Sequence, residues 1–172
     1  MKRTLTAAIL LLSACSSPQS IQYLTLPDSA YILPERQGRE LALKVVLAEP
    51  LQHGGPVYRT DAYSLHPARR HLWAVPLEQA AEARLANELN RLDRTYRFTP
   101  VKRSNSAQTL TVYLEAFNGS YLGHTLVQGY SRWPDGTGRN FRIETPQQGD
   151  GYPAMLQSLS QGLGRAAEHI AR

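Results

Sequence analysis

The sequence predicts a single α/β domain in which a mixed sheet of about five strands carries two main helices. Three observations predict it. Several segments alternate apolar and polar residues with the period of a strand, most clearly Leu41–Leu47 and Thr109–Phe117. Two others repeat apolar residues every three or four positions, the period of a helix buried along one stripe. The chain has 172 residues, 42% of them hydrophobic, which is enough for one ordinary core and short for two. Helical stripes and strand faces of this kind are buried together when helices pack on a sheet.

The elements follow in order. Tyr23-Leu24-Thr25-Leu26-Pro27 reads as a short edge strand stopped by proline, and Pro34 to Gly38 as a loop. Leu41, Leu43, Val45 and Leu47 alternate with Ala42, Lys44 and Val46 up to Pro50, which marks a central strand. After the turn His53-Gly54-Gly55-Pro56, residues Val57 to Leu65 are expected as a second strand, with Tyr58, Thr60 and Ala62 on one face and Arg59 and Asp61 on the other. His71 to Val75 is a third extended piece. Pro76 suits the first turn of a helix, and Glu78 behind it favours the positive end of the dipole. Leu77, Ala81, Leu85, Leu89 and Leu92 then form one stripe, opposite a face of Glu82, Arg84, Glu88 and Arg91 expected to meet solvent.

Thr109 to Phe117 and Leu122 to Trp133 read as a hairpin turning at Asn118-Gly119-Ser120. A second turn, Pro134 to Gly138, adds Phe141 to Thr145 and completes a meander. Met155, Leu156, Leu159, Leu163, Ala166, Ala167 and Ile170 define a closing amphipathic helix. Gly162 and Gly164 lower its intrinsic propensity, so it relies on close packing against the sheet.

The amino terminus carries a separate message. Met1-Lys2-Arg3 is a positive start, Leu5 to Leu12 an apolar run of export-signal length, and Leu12-Ser13-Ala14-Cys15 has the form of a bacterial lipobox. The expected organisation is a signal peptide over 1–14, a lipidated Cys15 with a short polar tether over 15–22, and one periplasmic domain over 23–172. No stretch reaches the roughly 20 apolar residues of a spanning helix. Anchoring would come from covalent lipid, which needs at least two chains to hold stably. In the lipoprotein class the mature cysteine carries a diacylglycerol and an acyl chain, typically palmitate. Ser16 in place of Asp implies sorting to the outer membrane, with the domain facing the periplasm.

Function classes narrow by exclusion. The net charge of +5 falls to +3 once Lys2 and Arg3 are removed, leaving 17 basic against 14 acidic residues. Without a basic stripe interleaved with aromatics this is no nucleic-acid footprint. Cys15 is the only cysteine, so neither an intramolecular disulfide nor a cysteine metal site can form. The histidines at 53, 66, 71, 124 and 169 lack ligand spacing. No nucleophile elbow, P-loop, dinucleotide fingerprint or zincin motif occurs. Asp135-Gly136-Thr137-Gly138 precedes no helix and reads as a hairpin turn rather than a phosphate nest. His124 with Ser131 is the least implausible catalytic pair, so an envelope hydrolase stands as one alternative and a lipid-binding carrier as another. Neither a metal nor a cofactor is expected. Tyr58, Arg59, Arg69 and Arg70 are the candidate partner contacts, and Trp73 is expected to lie beneath the first helix.

The order of these features carries a resemblance. The lipobox is followed by Tyr-Leu-Thr-Leu-Pro, a strand ending Leu47-Ala48-Glu49-Pro50-Leu51, then Val57-Tyr58-Arg59, then Leu72-Trp73-Ala74-Val75-Pro76-Leu77 opening a helix with Leu85-Ala86-Asn87-Glu88-Leu89. This resembles the PqiC/YmbA family of ABC-type transport auxiliary lipoproteins, the membrane-integrity-associated transporter subunits. Val75 stands where that family commonly has Glu, and Glu49 interrupts its Leu-Pro strand end. The resemblance implies a domain similar to the amino-terminal domain of TolB, anchored in the outer membrane. It further implies a non-catalytic role, docking the periplasm-spanning MCE-domain component of a lipid transport system that links the two membranes, with assembly into homo-oligomeric rings. Val57, Trp73, Ala74, Pro76 and Leu77 are its structural motif positions.

Overall fold

The computed structural model describes residues 20–171, so the expected signal peptide over 1–14, Cys15 and the first residues of the expected tether lie outside the described part. A twelve-residue strand organises everything else. This strand (β7, Thr109–Ser120) pairs antiparallel along one edge with β8 (His124–Arg132), which in turn pairs with β9 (Gly138–Pro146). Its other edge is shared. The first half pairs parallel with β2 (Arg39–Leu47), itself flanked by β6 (Tyr96–Pro100), and the last three residues pair parallel with β3 (Val57–Arg59). A short β4 (Leu65–Pro67) folds back on β3. Apart from this sheet, β1 (Gln22–Leu24) and β5 (His71–Trp73) form a two-stranded parallel ribbon.

Helix α1 (Leu77–Leu92) packs over β2 and β6, and α2 (Gly151–Ile170) over β7, β8 and β9, with the two helices in contact. Leu41, Leu43, Leu85, Leu89, Phe98, Leu110, Leu159 and Leu163 are fully buried between these layers. Gly162 has the expected use of close packing on the sheet, whereas Gly164 makes room for α1 instead. A Cβ on Gly162 would lie 2.7 Å from Val127 Cγ2, and one on Gly164 would lie 2.8 Å from a guanidinium nitrogen of Arg84.

The meander, the central strand and both helices stand where the sequence places them, and the sheet is larger than expected. Strand β6 has too few residues to show a period of its own. The expected single strand Val57–Leu65 is two short strands, because the Asp61 carboxylate accepts the backbone N–H groups of Tyr63 (2.7 Å) and Ser64 (2.6 Å) and turns the chain back. Asn118-Gly119-Ser120 is strand rather than turn; the reversal falls at Tyr121–Gly123, where Gly123 takes φ +74°. Pro76 stands at the N-cap of α1 rather than within its first turn, with its carbonyl accepting the N–H of Gln79 and Ala80.

The expected solvent face of α1 is also corrected, since Glu82 and Glu88 are 4% and 7% exposed. Strand β6 stops at Pro100, opposite Leu43, so β2 runs on without a strand neighbour on that side. The Glu82 carboxylate fills the gap by accepting the Val45 N–H at 3.1 Å. Glu88 is held instead by Arg84 and Arg91.

Candidate functional site

Because β7 is longer than β2, its last residues overhang the sheet, and the overhang creates a site. Tyr58 and Arg59 of β3 lie opposite Gly119 and Ser120 of β7. The first turn of α2 arrives over the same residues. Between them lies an open cavity of about 330 Å³, walled by Tyr58, Arg59, Tyr121, Tyr152 and Met155, with Gly119 and Ser120 at its floor and Gln147 and Gly151 at its rim. Gly119 is required here: a Cβ would lie 2.5 Å from Met155 Sδ, so a bare backbone lets the methionine cross the strand.

Its walls are fixed by ring contacts. His71 stacks on Tyr152 with centroids 4.0 Å apart, and His66 stacks on Tyr58 at 5.8 Å. Burial, with a smaller contribution from nearby Tyr58, pushes the Tyr152 hydroxyl above the usual tyrosine range, so it stays a neutral donor and acceptor at physiological pH. The Arg59 guanidinium donates to the Ala62 carbonyl at 3.1 Å, which leaves most of its donors directed elsewhere. An apolar cup with one arginine and three tyrosines can seat a side chain or an acidic group of a partner. No histidine, aspartate or glutamate is among its lining residues.

Of the candidate contacts, Tyr58 and Arg59 therefore share one cavity. Arg69 and Arg70 are exposed on the neighbouring segment, where the Arg70 carbonyl accepts the Gln22 N–H at 2.8 Å. Sequence reasoning missed Tyr121, Tyr152 and Met155, which reach the cavity from a turn and a helix far along the chain.

The motif residues act structurally. Val57, Trp73 and Leu77 are buried, at 2%, 8% and 4% exposure, and Trp73 packs against Phe117 with centroids 6.4 Å apart. Ala74 is exposed, yet its N–H bonds the Leu24 carbonyl at 2.8 Å and ties the ribbon to the start of α1.

His124 and Ser131 do not meet. They lie seven residues apart on one strand, a separation of about 23 Å. His124 lies 3.8 Å from Glu144, and Ser131 is 1% exposed with its hydroxyl 3.5 Å from the Arg139 carbonyl. Among the described residues no cluster of His, Asp or Glu is arranged to hold a metal, and no helix is long and apolar enough to cross a membrane.

Residues 34–171 match the family described as the ABC-type transport auxiliary lipoprotein component. Over 181 aligned positions the chain is 30% identical to the intermembrane transport lipoprotein PqiC of Escherichia coli K12, and equally to that of Shigella flexneri, with 100% of this chain and 97% of the relative covered. The crystal structure of an uncharacterised protein, 26% identical, superposes with a TM-score of 0.74 over 90% of this chain and 98% of its own. A Xanthomonas campestris protein, 16% identical, reaches 0.62 over 86% and 88% and shares the fold. On the family match and the full-length identity together, the chain belongs to the ABC-type transport auxiliary lipoprotein family.

Proposed function

We propose that this protein is the outer-membrane-anchored, non-catalytic accessory subunit of a system that carries lipid between the inner and outer membranes. In this reading it faces the periplasm and docks the periplasm-spanning MCE-domain component, supporting envelope integrity. The observation that carries the reading is the 30% identity along the whole chain with a lipoprotein named for intermembrane transport. Cys15 bears the diacylglycerol and acyl chains, Ser16 directs the protein outward, and the domain is held close to its bilayer by the short tether.

Tyr58 and Arg59 in the cavity, with Arg69 and Arg70 beside it, form the docking patch. Aromatic residues and arginine in a partly desolvated cup are the composition of interface hot spots. At about 330 Å³ and open to solvent, the cavity is at the low end of ligand-pocket volumes. That size favours a partner's side chain over a carried lipid. Copies of the domain would surround the partner as a homo-oligomeric ring.

The test is capture of the detergent-solubilised, lipidated protein from envelope extracts after cross-linking, with bound proteins identified by mass spectrometry. Recovery of an MCE-domain protein from wild type, and its loss from Arg59→Glu with an unchanged melting temperature, is the expected result. Failure of the wild type to retain any MCE-domain protein would overturn the docking role.

A further inference from the structure

We infer that the pole of the domain at which the chain leaves for Cys15 is itself a membrane-contacting face, seated in the bilayer interface through exposed apolar tips. The inference rests on the lipid anchor of the reading above and goes beyond it, because an anchor alone would leave the domain free to turn on its tether.

Several elements end together at this pole. Strand β3 ends at Arg59 opposite Ser120, the last residue of β7, and α2 begins at Gly151 beside them. The loop joining β3 to β4 and the turn joining β7 to β8 both project past these ends. The chain enters the domain on the same side: Gln22 pairs with His71, whose ring stacks on Tyr152 in the first turn of α2. From there the chain runs the other way, its Pro27 carbonyl accepting the hydroxyl of Ser160 in the middle of α2.

The exposed apolar side chains gather at this end. Of the nine large hydrophobic residues exposed among the described residues, Ile21, Tyr23, Tyr63, Tyr121 and Leu122 surround this pole. The other four lie along α1, with Val75 before its start, Ile32 and Leu33 beside Asn87, and Leu92 at its end. Tyr63 is 95% and Leu122 63% exposed at the tips of their two turns. Large exposed apolar side chains grouped on one surface mark a contact with a partner or a membrane. Tyrosine in particular suits the interface, where its ring lies among acyl chains and its hydroxyl among headgroups.

The reach of the tether selects the membrane. Gln22 lies seven residue steps beyond Cys15, a span of at most about 25 Å even when fully extended. A cysteine held at the bilayer surface therefore keeps this pole, rather than the opposite one, next to lipid. Two or more apolar tips entering the interface would add to the anchor and fix the orientation of the domain.

Site-specific labelling tests this directly. Lipidation consumes the thiol of Cys15, the only cysteine, so Tyr63→Cys, Leu122→Cys and the control Ala107→Cys each offer one labelling site. All three positions are exposed, and Ala107 precedes the start of β7 at the far pole. The lipidated full-length protein, carrying an environment-sensitive fluorophore, is reconstituted into vesicles of phosphatidylethanolamine and phosphatidylglycerol. The expected result is a blue shift at positions 63 and 122, with quenching by a lipid spin-labelled near the top of its acyl chain, and neither effect at 107. Co-flotation with vesicles while all three labels stay in water would overturn the inference and leave the anchor standing. Equal quenching at all three sites would overturn it by showing no preferred face. Shielding at 63 and 122 that appears only on adding the MCE-domain partner would assign the tips to protein and overturn it too. Failure to co-float at all would remove the anchor and this face together.

Discussion

Replacing Glu88 tests how the two helices are locked together. Its carboxylate accepts from Arg91 through both oxygens at 2.6 Å and from Arg84 at 2.7 Å. The two arginines are not equivalent. The Arg91 side chain is 73% exposed, so water replaces its partner at little cost. The Arg84 side chain is 12% exposed and lies over Gly164 of α2, with its Nε donating to Ser160 Oγ at 3.1 Å. Glu88→Ala therefore strands one buried guanidinium at the helix interface. Breaking a buried ion pair from one side costs about 3–5 kcal/mol, which in a domain of this size lowers Tm by roughly 6–20 °C. Glu88→Gln keeps an acceptor and should cost about 1–3 kcal/mol. The pH dependence identifies the cause. Burial pushes the Glu88 carboxyl up, but the hydrogen bonds and charges of Arg91 and Arg84 outweigh it and hold the group below the ordinary glutamate range. With the folded pKa below the unfolded one, the stabilisation is complete above the unfolded value and disappears as pH falls through the depressed folded value. Urea melts followed by the fluorescence of buried Trp73 and Trp133 should show a wild-type advantage over Glu88→Gln that is constant near neutrality and shrinks below the ordinary glutamate range. An advantage that persists unchanged in acid, or an Arg91→Ala loss as large as that of Arg84→Ala, would refute the reasoning.

Three further outcomes follow, two from the structure and one from the lipobox. Burial raises the Glu82 carboxyl, so it stabilises best when protonated and progressively less as pH rises through its folded pKa; Glu82→Gln should match or exceed the wild-type melting temperature at neutral pH, whereas Glu82→Ala leaves the Val45 N–H unpaired and costs about 1–3 kcal/mol. Gly162→Ala drives a methyl into Val127 and should cost about 1–3 kcal/mol in a denaturant melt, with α2 lifted from β8. Cys15→Ser, followed by envelope fractionation and immunoblotting, should move the protein from the membrane pellet to the soluble fraction.

What the sequence shows and hides divides by the range of the interactions. Leu41, Leu43, Val45 and Leu47 announce β2 because strand period and burial coincide locally, and the leucine stripe of α1 does the same. Strand β6 is silent because its five residues become a strand only through pairing with β2, more than fifty positions earlier. Asn118-Gly119 reads as a turn because that dipeptide suits one, yet here Gly119 is selected by the Met155 side chain crossing it from α2. Glu82 and Glu88 look like surface charges because their partners, a bare strand edge and a guanidinium over a second helix, exist only in three dimensions. The candidate site divides in the same way. Tyr58 and Arg59 stand out within a strand segment, whereas Tyr121 and Tyr152 gain meaning from the overhang that gathers them.

That overhang links the fold to the proposed role. Strand β2 ends opposite Leu114, and β7 continues six residues, or about 20 Å, to Ser120. Had the two strands ended together, β3 would have no edge to pair with and the first turn of α2 no floor beneath it. The extra length builds the cavity and carries Tyr58 and Arg59 to the pole where the described chain begins. The proposed docking patch thus lies at the end of the domain where the described chain begins. In the proposed role this is the useful arrangement, since the distal end of a partner bridging two membranes would have to arrive at the outer bilayer. A subunit that gripped it there, close to a lipidated Cys15, would place that end against the membrane.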